Sequence, residues 1–165
     1  MKFIPDQPMH NAVIVPFFED VNSKTAPGYS STLSIEKLKS QCLEEFTKLG
    51  ASDVLFTQGT VKDESAASGE QNRPAYQVAF RIYGATAEMI LLGFPCRKDA
   101  NIDRSRKQAL FVYRDWLKGE AQMRLYQPNY MPFVSNLIAE GKTLAEWLME
   151  SGKLPMLASG KADES

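Results

Sequence analysis

Four cations, Arg104, Lys107, Arg114 and Lys118, recur through DRSRKQALFVYRDWLKGEAQMRLY, residues 103–126. Each helical residue advances about 100°, so on one helix the four fall within about 80° of each other, with Phe111 among them. A ridge of this kind has the chemistry of a phosphate-tracking surface, in which the cations displace counterions and an aromatic ring stacks on an unpaired base. Arg97 and Lys98 lie just upstream and extend the set. The same residue types also keep an ordinary solvated helix face soluble, and Asp115 interrupts the ridge.

Other reactive types are sparse. His10 is the sole histidine and lies between prolines near the start of the chain. Cys96 follows Pro95 and precedes Arg97 and Lys98, cations that would favour a thiolate. Cys42 suits the apolar face of a helix, as a small buried hydrophobe. Glu120 falls near the middle of an apolar arc. It sits at a wet rim, or inside, where a buried carboxylate needs a partner such as Arg81, Arg97 or Arg124, or it is a catalytic carboxylate, a role for which no second acid is in sight. No phosphate-binding glycine loop, metal-ligand spacing or nucleotide turn is present in the sequence. The expectation is therefore a non-enzymatic protein with no catalytic residues, no metal and no cofactor.

Several elements must position these residues. In SIEKLKSQCLEEFTKLG, Ile35, Leu38, Cys42, Phe46 and Leu49 form one helical stripe, Ser34 caps it and Gly50 ends it. SDVLFTQGTV reads as a strand with Val54 and Phe56 on one face and Leu55 on the other. KDESAASGEQNRP, residues 62–74, holds no large apolar side chain and reads as a flexible loop that buries nothing. AYQVAFRIY alternates with period two, and TAEMILLGFP returns as a hairpin partner. The Met89–Leu92 run suggests a strand more central than its partner, buried on both faces. NAVIVPFF, residues 11–18, reads as an edge strand.

Ala109, Leu110, Val112, Tyr113, Trp116, Leu117 and Met123 share a broad arc of the 103–126 helix, so Trp116 is expected between helix and sheet. Thr143 and Glu146 form a capping box that starts a last short helix, with Leu144, Trp147 and Leu148 as its buried face. The fold class is α+β: a single domain over residues 1–157 with a disordered tail at 158–165. Its antiparallel sheet has three or four strands with helices packed on one face, in a helix-strand-strand-strand-helix core followed by short C-terminal helices.

Composition bounds the setting. In 165 residues, 44% are hydrophobic and the formal net charge is −1, so any anion binding has to be local. No run approaches the roughly 20 apolar residues of a membrane helix, and MKFIPDQPMHNAV lacks the apolar segment of a signal peptide. A cytoplasmic protein without a membrane partner is expected, and a disulfide between Cys42 and Cys96 is not.

The ordered segments also resemble a known family. They are the Ser34-x-Glu36-Lys37-x-Lys39 helix ending at Gly50–Ala51, the hairpin VAFRIYGATAEMILLGFP and Arg106-Lys107-Gln108-Ala109-Leu110. LKGEAQ at 117–122 and the closing EGKTLAEWL complete the set. Residues 33–149 resemble a family of short, functionally unassigned reading frames of phages, prophages and other mobile elements. Where that family carries Pro-Asp-Gly, this chain has Ala139-Glu140-Gly141. The resemblance implies an accessory protein acting in a bacterial or related cytosol, and carries no activity, cofactor or site residue with it. The element order is also similar to that of double-stranded RNA-binding domains, which set cations at the start of their second helix, where Arg104, Arg106 and Lys107 stand here. The loop residues and spacing of those domains are not reproduced.

Two functions follow as expectations. The first is nucleic-acid binding through Arg97, Lys98, Arg104, Lys107, Phe111, Arg114 and Lys118. The alternative is a protein-binding inhibitor or adaptor acting on a host protein, for example one of a defence system. A continuous positive groove would favour the first, an exposed apolar patch the second.

Overall fold

A computed structural model describes residues 15–63 and 71–151. His10, the first part of the expected strand at 11–18, the middle of the expected loop and the expected tail lie outside the described residues. The elements are α1 (Ile35–Lys48), β1 (Ser52–Asp63), β2 (Gln71–Ile82), β3 (Ala85–Leu92), α2 (Ile102–Tyr126), β4 (Ile138–Ala139), β5 (Lys142–Thr143) and α3 (Leu144–Glu150). β1, β2 and β3 form an antiparallel sheet in that order, and β4 and β5 a second, two-stranded one. The fold is α+β, as the residue pattern implies.

Local chemistry explains the boundaries. Ser34 Oγ accepts the Lys37 amide at 3.1 Å, relieving one unpaired donor at the start of α1. Gly50, at φ +82°, ends the helix in a conformation that favours glycine. Tyr83 and Gly84, both at positive φ, make the two-residue turn between β2 and β3, whose twist matches paired strands. Tyr76, Val78, Phe80 and Ile82 of β2 are all buried, and Leu55 of β1 points the other way, 63% exposed.

The core lies between the sheet and the two long helices. Phe46 is its centre, with ring centroids 4.9 Å from Phe80, 5.9 Å from Phe133 and 6.1 Å from Tyr113. Leu38, Tyr76 and Leu110 continue it, and a smaller cluster of Phe18, Val21 and Ala26 packs with Phe94 and Tyr29.

Five expectations need correction. β2, not β3, is the central strand, and β3 is covered on one face only: Ile90, on the open face of the sheet, is 56% exposed. Residues 62–63 and 71–74 belong to strands rather than a loop, and Arg73 and Pro74 are buried, Arg73 Nε donating to the Gly93 carbonyl at 2.8 Å. Residues 18–20 form a 3-10 turn, not the end of a strand. No residue of α3 is buried, though its capping box is complete. Trp116 is 41% exposed, not enclosed against the sheet.

The last correction has a clear cause. α2 carries two apolar stripes that the sequence shows as one arc. Leu110, Tyr113 and Leu117 face the core, while Ala109, Val112 and Trp116, one residue or about 100° round the axis, do not. Polar side chains complete the core-facing side. Ser105 donates to the Phe94 carbonyl at 2.7 Å and Arg106 to that of Gly59 at 2.9 Å, while Arg114 donates to Gln41 at 2.6 Å. Buried polar groups are tolerated where each finds such a partner.

Candidate functional site

The second stripe of α2 forms the floor of a groove. One wall is the outer edge of β3, from Met89 to Leu92 with Gly93 and Phe94 beyond it; the other is the Thr25–Pro27 loop. The groove holds about 500 Å³, and none of its lining residues carries a charge. Tyr113 Oη donates to the Met89 sulfur at 2.9 Å, fixing floor to wall.

Both walls are held by specific residues. Asn22 organises the loop: its side-chain oxygen accepts the Lys24 amide at 2.9 Å and its carbonyl accepts the Ala26 amide at 2.9 Å. Gly28 follows at φ +77°, where a Cβ would lie 2.4 Å from the Phe111 ring. The end of β3 is pinned to α2 through Gly93, whose Cβ position lies 2.5 Å from Ser105 Oγ.

The strand edge is the chemical feature of the groove. β2 and β3 keep one register from Ile82↔Ala85 to Ala75↔Leu92. Ile82 and Ala85 flank a two-residue turn and exchange hydrogen bonds, so alternate pairs do the same up to Tyr76↔Leu91. The backbone amide and carbonyl groups of Ile90 and Leu92, residues that line the groove, then point away from β2 at the outer edge of the sheet. Leu137 bridges the edge at Ala87, at the near end only. Neither sheet supplies a strand that pairs with the stretch from Met89 to Leu92 on this side among the described residues.

The residues expected to bind nucleic acid are scattered by comparison. Arg114 is buried, bonded to Gln41 and Asp115, with its guanidinium 4.4 Å from the Phe111 ring centroid. Phe111 lies under it and against Gly28. Arg97 is paired with Asp20 at 2.6 Å and lies over Phe17. Arg104 stacks over Phe18 and Tyr29. Lys98 and Lys118 are exposed and Lys107 is half-buried. Lys118 opens on a separate recess between the ends of α1 and α2. The structure thus brings Arg114 and Phe111 together as packing, and leaves Lys98, Arg104, Lys107 and Lys118 outside any ion pair among the described residues.

Reactivity is held down elsewhere. Burial pushes the Cys96 thiol up, in spite of its cationic neighbours, and pushes Cys42 up to about 12. Glu120 is half-buried and accepts the Tyr130 hydroxyl at 2.5 Å, so its partner is a phenol rather than an arginine. Among the described residues, no three or more His, Cys, Asp or Glu side chains converge as a metal site would need, and no helix is long and apolar enough to cross a membrane.

No family model, no curated protein and no solved structure matches this chain. The groove was missed in the sequence because its residues, Ala109, Val112 and Trp116, are the types that fill cores. The available signal was that the apolar arc of α2 is wider than one sheet contact requires.

Proposed function

We propose that this protein is a protein-binding module that takes an extended, uncharged segment of a partner along the edge of β3. The observation that carries this reading is the coincidence of edge amides unpaired among the described residues with an apolar floor free of charge. Backbone groups on a strand edge are satisfied by another extended backbone, which supplies affinity, and the floor selects alternate side chains. The family resemblance supports an accessory role in a mobile element, and an inhibitor or adaptor of a host protein in the cytoplasm is the role that fits it.

A displayed library of seven-residue peptides, screened against the full chain, tests the proposal. Enriched peptides should carry apolar residues at alternate positions. Val112→Glu, at a 43% exposed position on the groove floor, should abolish their binding while the chain stays folded. Ile90→Pro should do the same by removing an edge donor that β2 does not use. No enrichment, or peptides indifferent to both substitutions, overturns the reading. Binding seen only after residues 1–14 are removed also overturns it, by assigning the groove to the chain itself.

A second reading is phosphate binding by Lys98, Arg104, Lys107 and Lys118, favoured by their freedom from ion pairs among the described residues. Gel-shift titration of the wild type into the tens of micromolar, roughly the upper non-specific range, decides it. Binding should fall steeply with salt and vanish when Arg104, Lys107 and Lys118 are together replaced by Glu.

A further inference from the structure

We infer, resting on the groove reading above, that the partner segment is charge-asymmetric: basic where it meets the start of β3, acidic where it meets the end, with an uncharged stretch between. The groove is neutral along its length, but its two ends differ. At the near end Met89 and Ile90 also line a second, polar recess with Glu88 and Glu146. Glu88 is half-buried, alternates with Ile90 on the open face of the sheet, and is in no ion pair among the described residues. Glu146 caps α3 by accepting the Thr143 amide at 3.0 Å, which fixes its carboxylate beside the same recess.

The far end is cationic. Lys24 is exposed and adjoins Thr25 in the groove wall. Arg104 lies one turn before Gln108 on α2, and Gln108 lines the groove. The Arg104 guanidinium is held 5.4 Å from the Phe18 ring centroid and 5.6 Å from that of Tyr29, against the cluster that packs Phe94. Asp20, the acid closest in sequence to Lys24, is engaged by Arg97. Asp103, beside Arg104, is bonded to Arg106.

An added strand therefore passes from a carboxylate pair, over a charge-free floor, to two cations. Charges at the rim of an interface act on register and selectivity more than on total affinity. The neutral middle excludes charged residues, because burying an unpaired charge there has no compensation. Outward-facing residues opposite Ile90 and Leu92 would extend an apolar surface, while the residue beyond Glu88 would be Lys or Arg.

Blocked seven-residue peptides with an alternating Val-Thr centre provide the probe, in three forms: one Lys and one Glu end, two Lys ends, and two Glu ends. Titrated by fluorescence anisotropy into the full chain at low salt, the mixed form should bind roughly tenfold tighter than either like-charged form, the scale of two rim ion pairs. The margin should shrink in 0.5 M salt. Glu88→Lys leaves that end neutral and should erase the advantage of the mixed form over the form with two Glu ends, with an unchanged thermal midpoint. If all three forms bind alike and Val112→Glu abolishes each, the groove reading stands and the charge asymmetry is overturned. If none binds, or binding survives Val112→Glu, the groove reading falls and the inference with it.

Discussion

Single side chains decide how α2 sits. Leu117 is fully buried beneath the sheet, whereas Trp116, next to it, stacks on Tyr113 and meets the edge of Phe133, each at 5.6 Å, with its far side open to the groove. Leu117→Ala should therefore cost about 2–5 kcal/mol by leaving a cavity. Trp116→Ala should cost about 1–2 kcal/mol, the loss of two aromatic contacts and part of a buried surface. Urea unfolding of the two variants checks the order, and a reversal would mean that the groove floor is core. Arg114 belongs to the same scale. Its charge is spent on Gln41 and Asp115, so Arg114→Glu would unfold the helix packing and cannot serve as a test of phosphate binding.

At the scale of elements, α3 and β3 show how exposure and local order separate. α3 starts with a complete capping box, Thr143 Oγ1 accepting the Glu146 amide at 3.2 Å, yet buries no residue. Its stability is then largely local. Thr143→Ala should cost the helix about 1 kcal/mol. Amide exchange in residues 144–150 should accelerate accordingly while the global unfolding midpoint holds, because local opening and global unfolding are distinct events. A matching fall in the global midpoint would show that α3 is coupled to the core. β3 has the opposite character. Its inner face, through Ala87, belongs to the core, and among the described residues its edge is anchored by Leu137 and by the pinning of Gly93.

For the whole molecule, Glu19 ties the segment around Phe18 to the corner between β3 and α2. It accepts the amides of Arg97 at 2.9 Å and Lys98 at 3.0 Å and the Asn101 side chain at 3.1 Å. Partial burial opposes the charge, but the bonds from Asn101, Lys98 and Arg97 outweigh it and lower the pKa to about 2. Unfolded, the same group titrates near 4.5. The contribution of this latch is thus fully present above the upper value and is lost as pH falls through the lower one. The amide resonances of Arg97 and Lys98 should titrate with a midpoint near 2, and Glu19→Gln should remove that titration; a midpoint near the unfolded value would mean the latch is not formed.

Periodicity alone determined much of this protein. The apolar stripe of α1, the alternation of β2 with its returning hairpin partner and the caps at Ser34 and Thr143 are local patterns, set by neighbours within four residues, and the α+β architecture follows from their order. The candidate site was not legible in that way. Whether β3 is central or at an edge depends on which strands flank it, and a run such as Met89–Leu92 suits both places. The rotation of α2 was decided by partners distant in sequence: Gln41 for Arg114, Gly59 for Arg106 and Phe94 for Ser105. Those bonds make polar residues admissible inside and release Val112 and Trp116 to the surface. Hydrophobicity reports what a residue gains by burial, and only the tertiary contacts decide which of several apolar residues the available surface can cover.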